Sequence, residues 1–292
     1  MMKRVAMAVG VWIWLLACVG AQNGAQNGAQ DGAQDGKSVR EPRSGPVLSD
    51  AGREALAGGR EIVGRLHGLR GTERKVALEQ AAAAHDRLVE QFVGEPPVAA
   101  MAAFAAAELW RQQGSLPMAE KDYLRAAALD APRFAQRGLL GAADMQRRQQ
   151  RADEAMVTYG KAEAVEPGSS RAQDARLWRA RLLQSTERLD DAVTAFQSAL
   201  ESANGVSQVV ETANFLALAW VQKGDLDAAG RAITHAEHAV EAAAEEDAII
   251  AERHQKWLAA MSARKALQRA RDERDGAAKD AVQLDTAQRA AR

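Results

Sequence analysis

The sequence predicts an all-α protein built on a repeat, and three observations carry that prediction. First, Ala, Leu, Arg, Gln and Glu are abundant, aromatic residues make up only 4% of the chain, and proline appears seven times. Such a composition favours helices and disfavours strands. Second, four segments align on a common phase, starting at residues 100, 136, 173 and 210. Self-similarity at a period of 36 or 37 residues marks a stacked architecture. Third, the alignment places alanine in three fixed columns. These are Ala107, Ala143, Ala180 and Ala217; Ala119, Ala155, Ala192 and Ala229; and Ala126, Ala162, Ala199 and Ala236. A coiled coil is the rival for a helix-rich chain, but it predicts apolar residues every 3.5 positions and no such columns.

From the N-terminus, the basic start Met1–Arg4 precedes an uncharged apolar run, residues 5–20. The run is shorter than the roughly 20 residues that cross a bilayer, so residues 1–21 read as a signal peptide, with a membrane anchor the lesser reading. Two processing routes stay open. Val19-Gly20-Ala21 suits ordinary signal peptidase, whereas Leu15-Leu16-Ala17-Cys18 resembles the lipobox of bacterial lipoproteins, with Leu16 larger than that pattern favours. Cys18 is the only cysteine, so it builds no disulfide or thiolate zinc site, and lipidation is the chemistry it could serve. The expected location is exported, either periplasmic or anchored to the envelope.

Residues 22–48 follow as a low-complexity linker, beginning in AQNGAQNGAQDGAQDG. Asn-Gly and Asp-Gly favour turns, nothing there is apolar enough to pack, and a flexible coil of this length reaches roughly 30 Å. Two isolated carboxylates make a poor calcium site.

The repeats near 100–132, 136–167, 173–204 and 210–241 fill most of the helical domain, residues 49–275. Large side chains recur between the alanines at Tyr123, Tyr159, Phe196 and Ile233, and earlier in each unit at Trp110, Leu183 and Trp220, with Gln146 breaking that column. The pattern resembles the tetratricopeptide repeat (TPR) family, whose units are a helix A, a turn and a helix B packed antiparallel. Gly114 and Gly224 then fall at the end of helix A as left-handed C-caps, with Ser115 and Asp225 as N-caps of helix B. The resemblance assigns the residues beyond 34 per unit to the loops between repeats. A preceding repeat near 65–98 is expected with Ala84 and Leu88 in phase, its first helix degenerate and interrupted by glycines. A capping helix is expected over 246–274, beginning as another helix A with Trp257 37 residues beyond Trp220, and 276–292 reads as a polar tail.

The resemblance implies a right-handed α-solenoid whose concave groove is lined by helix A. Its groove positions map onto Phe104, Arg111, Arg137, Arg147, Arg148, Arg181, Asn214 and Leu218. Guanidinium groups suit carboxylates, so an acidic or C-terminal peptide in the groove is the expected partner, weighed against a solvated face offset by Glu108, Asp144 and Asp174. Lys plus Arg total 38 against 39 Asp plus Glu, which argues against nucleic-acid binding. Membrane contact is expected only through a lipid at Cys18.

His235 and His238 lie three apart on one helix but occupy positions expected to be exposed, and no phosphate loop, HExxH or GxSxG is present. The expected function is therefore a non-enzymatic scaffold without cofactor or metal. The alternatives are a self-associating structural component of the envelope, or a metal-dependent enzyme using those histidines.

Overall fold

The structure, a computed structural model, describes residues 47–246 and 248–290, and twelve helices follow one another along them. They are α1 (Asp50–Gly64), α2 (Gly71–Gln91), α3 (Pro96–Gln113), α4 (Leu116–Leu129), α5 (Ala131–Arg148), α6 (Ala152–Val165), α7 (Ser170–Ser185), α8 (Leu189–Glu201), α9 (Val206–Lys223), α10 (Leu226–Glu246), α11 (Ala248–Ala260) and α12 (Ser262–Ala290). The segment expected to direct export, Cys18 and the expected linker as far as residue 46 lie outside the described residues. Among the described residues no helix is long and apolar enough to cross a membrane.

Each helix through the repeats packs on the next, and alternate helices α1, α3, α5, α7 and α9 also touch one another. The intervening row does so substantially only at its C-terminal end, where α10 meets α12. A stack whose odd helices crowd together while its even helices splay is an α-solenoid, with the odd row on its inner side. All twelve alanines of the three columns have no exposed surface. There the backbones approach so closely that only a methyl group fits. Tyr123, Tyr159, Phe196 and Ile233 fill the space left between these close contacts and are themselves buried. On α5 even a methyl is too large: a β-carbon on Gly138 would stand 2.5 Å from the Tyr123 carbonyl oxygen, and one on Gly141 2.6 Å from its ring.

One turn is used four times. The N–H groups of Ser115, Arg151, Arg188 and Asp225 donate to the carbonyls of Trp110, Gln146, Leu183 and Trp220, at 3.0 to 3.1 Å. This six-to-one closure places the preceding residue in the left-handed region. Gly114 (φ 97°) and Gly224 (φ 83°) fit the expectation, but Gln150 (φ 63°) and Glu187 (φ 61°) hold the same conformation without being glycine. Asp225 caps α10 by accepting from the Ala228 N–H at 2.8 Å. Ser115 makes no such bond, since Pro117 removes one of the two N–H groups within its reach.

Polar side chains tie the units. Gln136 Nε2 donates to the Ala162 carbonyl at 3.2 Å, and Gln173 likewise reaches the Ala199 carbonyl, so each locks helix A to the last alanine column of its own unit. Gln146, which breaks the aromatic column, donates to Glu120 Oε1 at 2.9 Å, while Gln149 and Arg151 donate to Glu120 Oε2. A buried hydrogen-bonded network therefore takes the place of an apolar filler at that interface.

Four boundaries differ from expectation. The connections between repeats range from Asp130 alone between α4 and α5 to residues 166–169 and 202–205, and the first helices, 16 to 18 residues long, take up much of the extra length. The leading hairpin starts at Asp50, because a glycine-containing helix forms there, with Gly59 packed beneath the His85 ring. Its buried pair is Ala82 and Val89, 37 residues before Ala119 and Ala126, rather than the partly buried Ala84 and Leu88. At the far end Met261 separates α11 from α12, and α12 continues as helix through the residues expected to be a tail. Trp257 is 40% exposed, its ring edge-on to His254, and Leu258 takes the buried position.

Inside the leading half, Asp122 is fully buried beside Asp86, and neither of its oxygens nor Asp86 Oδ1 has a hydrogen-bond donor among the described residues. Asp86 Oδ2 accepts from Trp110 Nε1 at 3.3 Å. Burial and the neighbouring Asp86 carboxylate push the Asp122 carboxyl from its ordinary 3.8 up to about 7.

Gln150→Gly and Glu187→Gly should each raise stability by about 0.5–1 kcal/mol, as a left-handed non-glycine residue costs roughly 1–2 kcal/mol and glycine's added chain entropy offsets part of the gain. Thermal melts of the single variants test this, and unchanged midpoints would contradict it. For Asp122 the folded state holds its proton to higher pH than the unfolded chain. Its contribution is thus fully present below about pH 4 and lost as pH rises to about 7. Asp122→Asn should flatten the urea-denaturation stability profile across that window and exceed the parent protein at pH 8.

Candidate functional site

The inner row carries a chain of arginines and aromatic rings that crosses the repeat boundaries. The Arg137 guanidinium on α5 lies 4.5 Å from the Phe104 ring centre on α3, and 5.6 Å from that of Phe134. Arg147, further along α5, lies 4.4 Å from the Trp178 ring of α7. Arg181 of α7 lies 4.0 Å from Trp178 and 4.2 Å from Phe215 of α9, and Phe215 stacks in turn on the buried Phe196. Contacts of this kind are worth about 0.5–2 kcal/mol each depending on desolvation. They therefore help to hold the inner helices together as well as furnish a surface.

The arginines are not equivalent. Arg111 donates to Glu108 at 2.6 Å, and Glu108 also accepts from the Tyr123 hydroxyl. One unit later Arg147 donates to Asp144, beside the buried Tyr159. Both guanidinium groups are thus neutralised by the carboxylate three residues earlier on the same helix. The same two positions in the third unit hold Arg181 and Gln184, and Phe196 replaces the tyrosine. Arg181 accordingly stands where Glu108 and Asp144 stand in their units, and it has no ion pair or hydrogen bond among the described residues. Burial pushes its pKa down to about 10, with Glu211 opposing that shift and Arg147 adding to it. Arg137 is also lowered, first by burial and then by the like charge of Arg171, with Glu108 opposing the shift from beyond ion-pair distance.

The other expected groove residues fall elsewhere. Arg148 is exposed and unpaired among the described residues. Asn214 is spent on the C-terminal end of the stack: its Oδ1 accepts from the Ala263 N–H at 3.1 Å and so caps the start of α12. Leu218 is half-buried against the C-terminal core, and Phe104 is half-buried against Tyr123 and Phe134, with ring centres 5.4 Å apart in both pairs. Trp178 and Phe215, which order the arginines, were not among the residues expected from sequence. They share one column of the alignment, where the earlier units have Ala105 and Gly141.

Two clefts open on the other row. One of about 800 Å³ lies between α10 and α12, lined by Arg231, His235, Glu237, His238, Arg264 and Arg271 among others. A second, of about 430 Å³, lies between α8 and α10 over Leu200, Leu216 and Trp220. His235 and His238 are exposed there, and Arg264 pairs with Glu237 across the larger cleft. Three guanidinium groups beside two imidazoles favour an anion over a metal ion.

No protein-family model matches the chain, and no curated protein matches it by sequence. Solved structures do share its fold. The MamA RS-1 ArsTM double mutant aligns at TM-score 0.50 and 12% identity, covering 68% of this chain and 99% of that one. MamA from residue 41 onward, of Desulfovibrio magneticus RS-1, aligns at 0.49 and 13% identity, covering 67% and 98%. A thermophilic TPR protein of Thermus thermophilus aligns at 0.39 and 18% identity, covering 71% and 98%. At 12% identity the likeness to the first of these concerns architecture alone, and with the helix pairing described above the fold is a TPR-like solenoid.

Removing the ring between two guanidinium groups should loosen the inner row. Trp178→Ala is expected to lower stability by about 1–2 kcal/mol, whereas Arg181→Met, which removes a desolvated and unpaired charge, should be neutral or stabilising. Urea melts of the two variants test the contrast, and a larger loss for Arg181→Met would make that arginine a structural tie instead.

Proposed function

We propose that the protein is a non-catalytic scaffold that docks a peptide or protein partner along the inner, odd-numbered row of its solenoid, and that it works outside the cytoplasm in a bacterial cell envelope. The observation that carries the docking surface is the division of labour on the inner helices. One stripe of each helix is alanine buried without remainder. The neighbouring stripe presents half-exposed aromatic and guanidinium groups, the residue types that dominate binding hot spots. Support for the location comes from sequence alone: the basic start, the short apolar run and the turn-rich linker after it. Cys18 at the end of a lipobox-like stretch is consistent with a lipid anchor, the linker then serving as tether.

Photocrosslinking in the native host separates the inner row from the rest of the surface. A benzophenone side chain placed at Gln112 or Leu140 on the inner helices should trap a partner, while one at Val157 or Leu124, exposed on the even row, should not. Trapping confined to Val157 and Leu124 would move the interface to the even row, and adducts at twice the chain mass would make the protein a self-assembling component. Metabolic labelling with a clickable fatty acid, in the parent chain and in Cys18→Ser, tests the anchor.

A further inference from the structure

In the two leading repeats Arg111 and Arg147 are each paired with a carboxylate of their own helix, and the third repeat lacks that pair. Glu108 accepts from both the buried Tyr123 and Arg111, and one unit later Asp144 accepts from Arg147 beside the buried Tyr159. In the third unit the carboxylate has become Arg181, the arginine has become Gln184 and the tyrosine has become Phe196. Gln184 turns away to donate to Gln222 at 2.8 Å. What remains is a guanidinium clamped between Trp178 and Phe215, at 4.0 and 4.2 Å, with none of its five N–H donors used inside the described protein. Glu211 is close enough to feel its charge, yet the two form no ion pair. A half-buried guanidinium with its faces covered by rings and its edge unspent is preorganised for a planar, two-oxygen acceptor.

We infer that Arg181, held by Trp178 and Phe215, receives a carboxylate side chain of the docked partner, and that Arg137, the other ring-backed arginine without a carboxylate of its own, receives a second. The partner segment is therefore acidic, with at least two carboxylates spaced to reach α5 and α7. Its first carboxylate takes up at Arg181 the role that Glu108 and Asp144 play in the preceding units. This rests on the scaffold reading and goes beyond it by naming the partner's chemistry and the residues that read it. Arg111 and Arg147, already neutralised, contribute packing and little recognition. Salt dependence belongs to the same picture, since the bridges formed are charge-assisted and lie at a solvent-facing edge.

Arginine side-chain NMR on the full-length chain tests the inference directly, using the synthetic peptide acetyl-(Glu-Ala)4-amide and its (Gln-Ala)4 counterpart as probes. The acidic peptide should move the Nε–Hε resonances of Arg181 and Arg137 and leave those of Arg111 and Arg147 nearly fixed. It should also change Trp178 fluorescence. Arg181→Met should weaken the peptide at least tenfold, Lys161→Met on the outer surface of α6 should not, and raising salt from 50 to 500 mM (about a threefold shorter screening length) should weaken the parent and Lys161→Met more than Arg181→Met. Equal binding of the glutamine peptide, an unmoved Arg181 resonance at saturating peptide, or an Arg181→Met variant of parental affinity would each overturn the inference. The scaffold reading fails separately: crosslinks at Gln112 and Leu140 that persist in Arg181→Met would leave the inner row as the interface and remove only the carboxylate assignment.

Discussion

Close approach of helix backbones at three alanine columns is the constraint from which the rest of this structure follows. A side chain larger than methyl at any of these twelve positions would push neighbouring helices apart, and every inter-helix contact beyond it would shift. Because the columns recur at fixed intervals, the spacing is set identically in each unit. The helices on one side are thereby crowded and those on the other splayed. The gaps between tight points demand one bulky filler per unit, met by Tyr123, Tyr159, Phe196 and Ile233.

Sequence carried most of this architecture. The alanine columns, the fillers and the two glycine turns were all legible, because each is a residue-type requirement imposed by geometry. What escaped was register where the residue type is not restrictive. Gln150 and Glu187 adopt the left-handed conformation because the six-to-one closure imposes it, and nothing in either residue announces that. At the leading hairpin, alanine fills 81–84 continuously, so composition could not say which of the four are buried; Ala81 and Ala82 are, and Ala83 and Ala84 are only partly so. At Trp257 the period pointed to a core residue, but among the described residues no helix pair covers that ring, and Leu258 fills the interior.

The candidate site shows the same division. The arginines of the inner row were visible as charges in the right repeat positions, yet their roles depend on neighbours one unit away. Arg111 and Arg147 each have an acid three residues back, a pairing that helical spacing alone permits. Arg181 differs through substitutions in three columns at once, and its ring platforms, Trp178 and Phe215, come from a column that is alanine or glycine in the earlier units. Asn214 could not be read from sequence at all: its partner is the backbone of Ala263, 49 residues on.

The long final helix has a consequence of its own. Its first turns are pinned by Asn214 and by Leu267, buried in the C-terminal core, but from Asp272 through Val282 every side chain is exposed. A helix rises about 1.5 Å per residue, so the stretch from Arg271 to Ala290 is a rod of roughly 28 Å that runs on past the last buried residue. Whatever this rod touches is met at a set distance and bearing, as a strut meets its load, where a coil of equal length would sweep a volume.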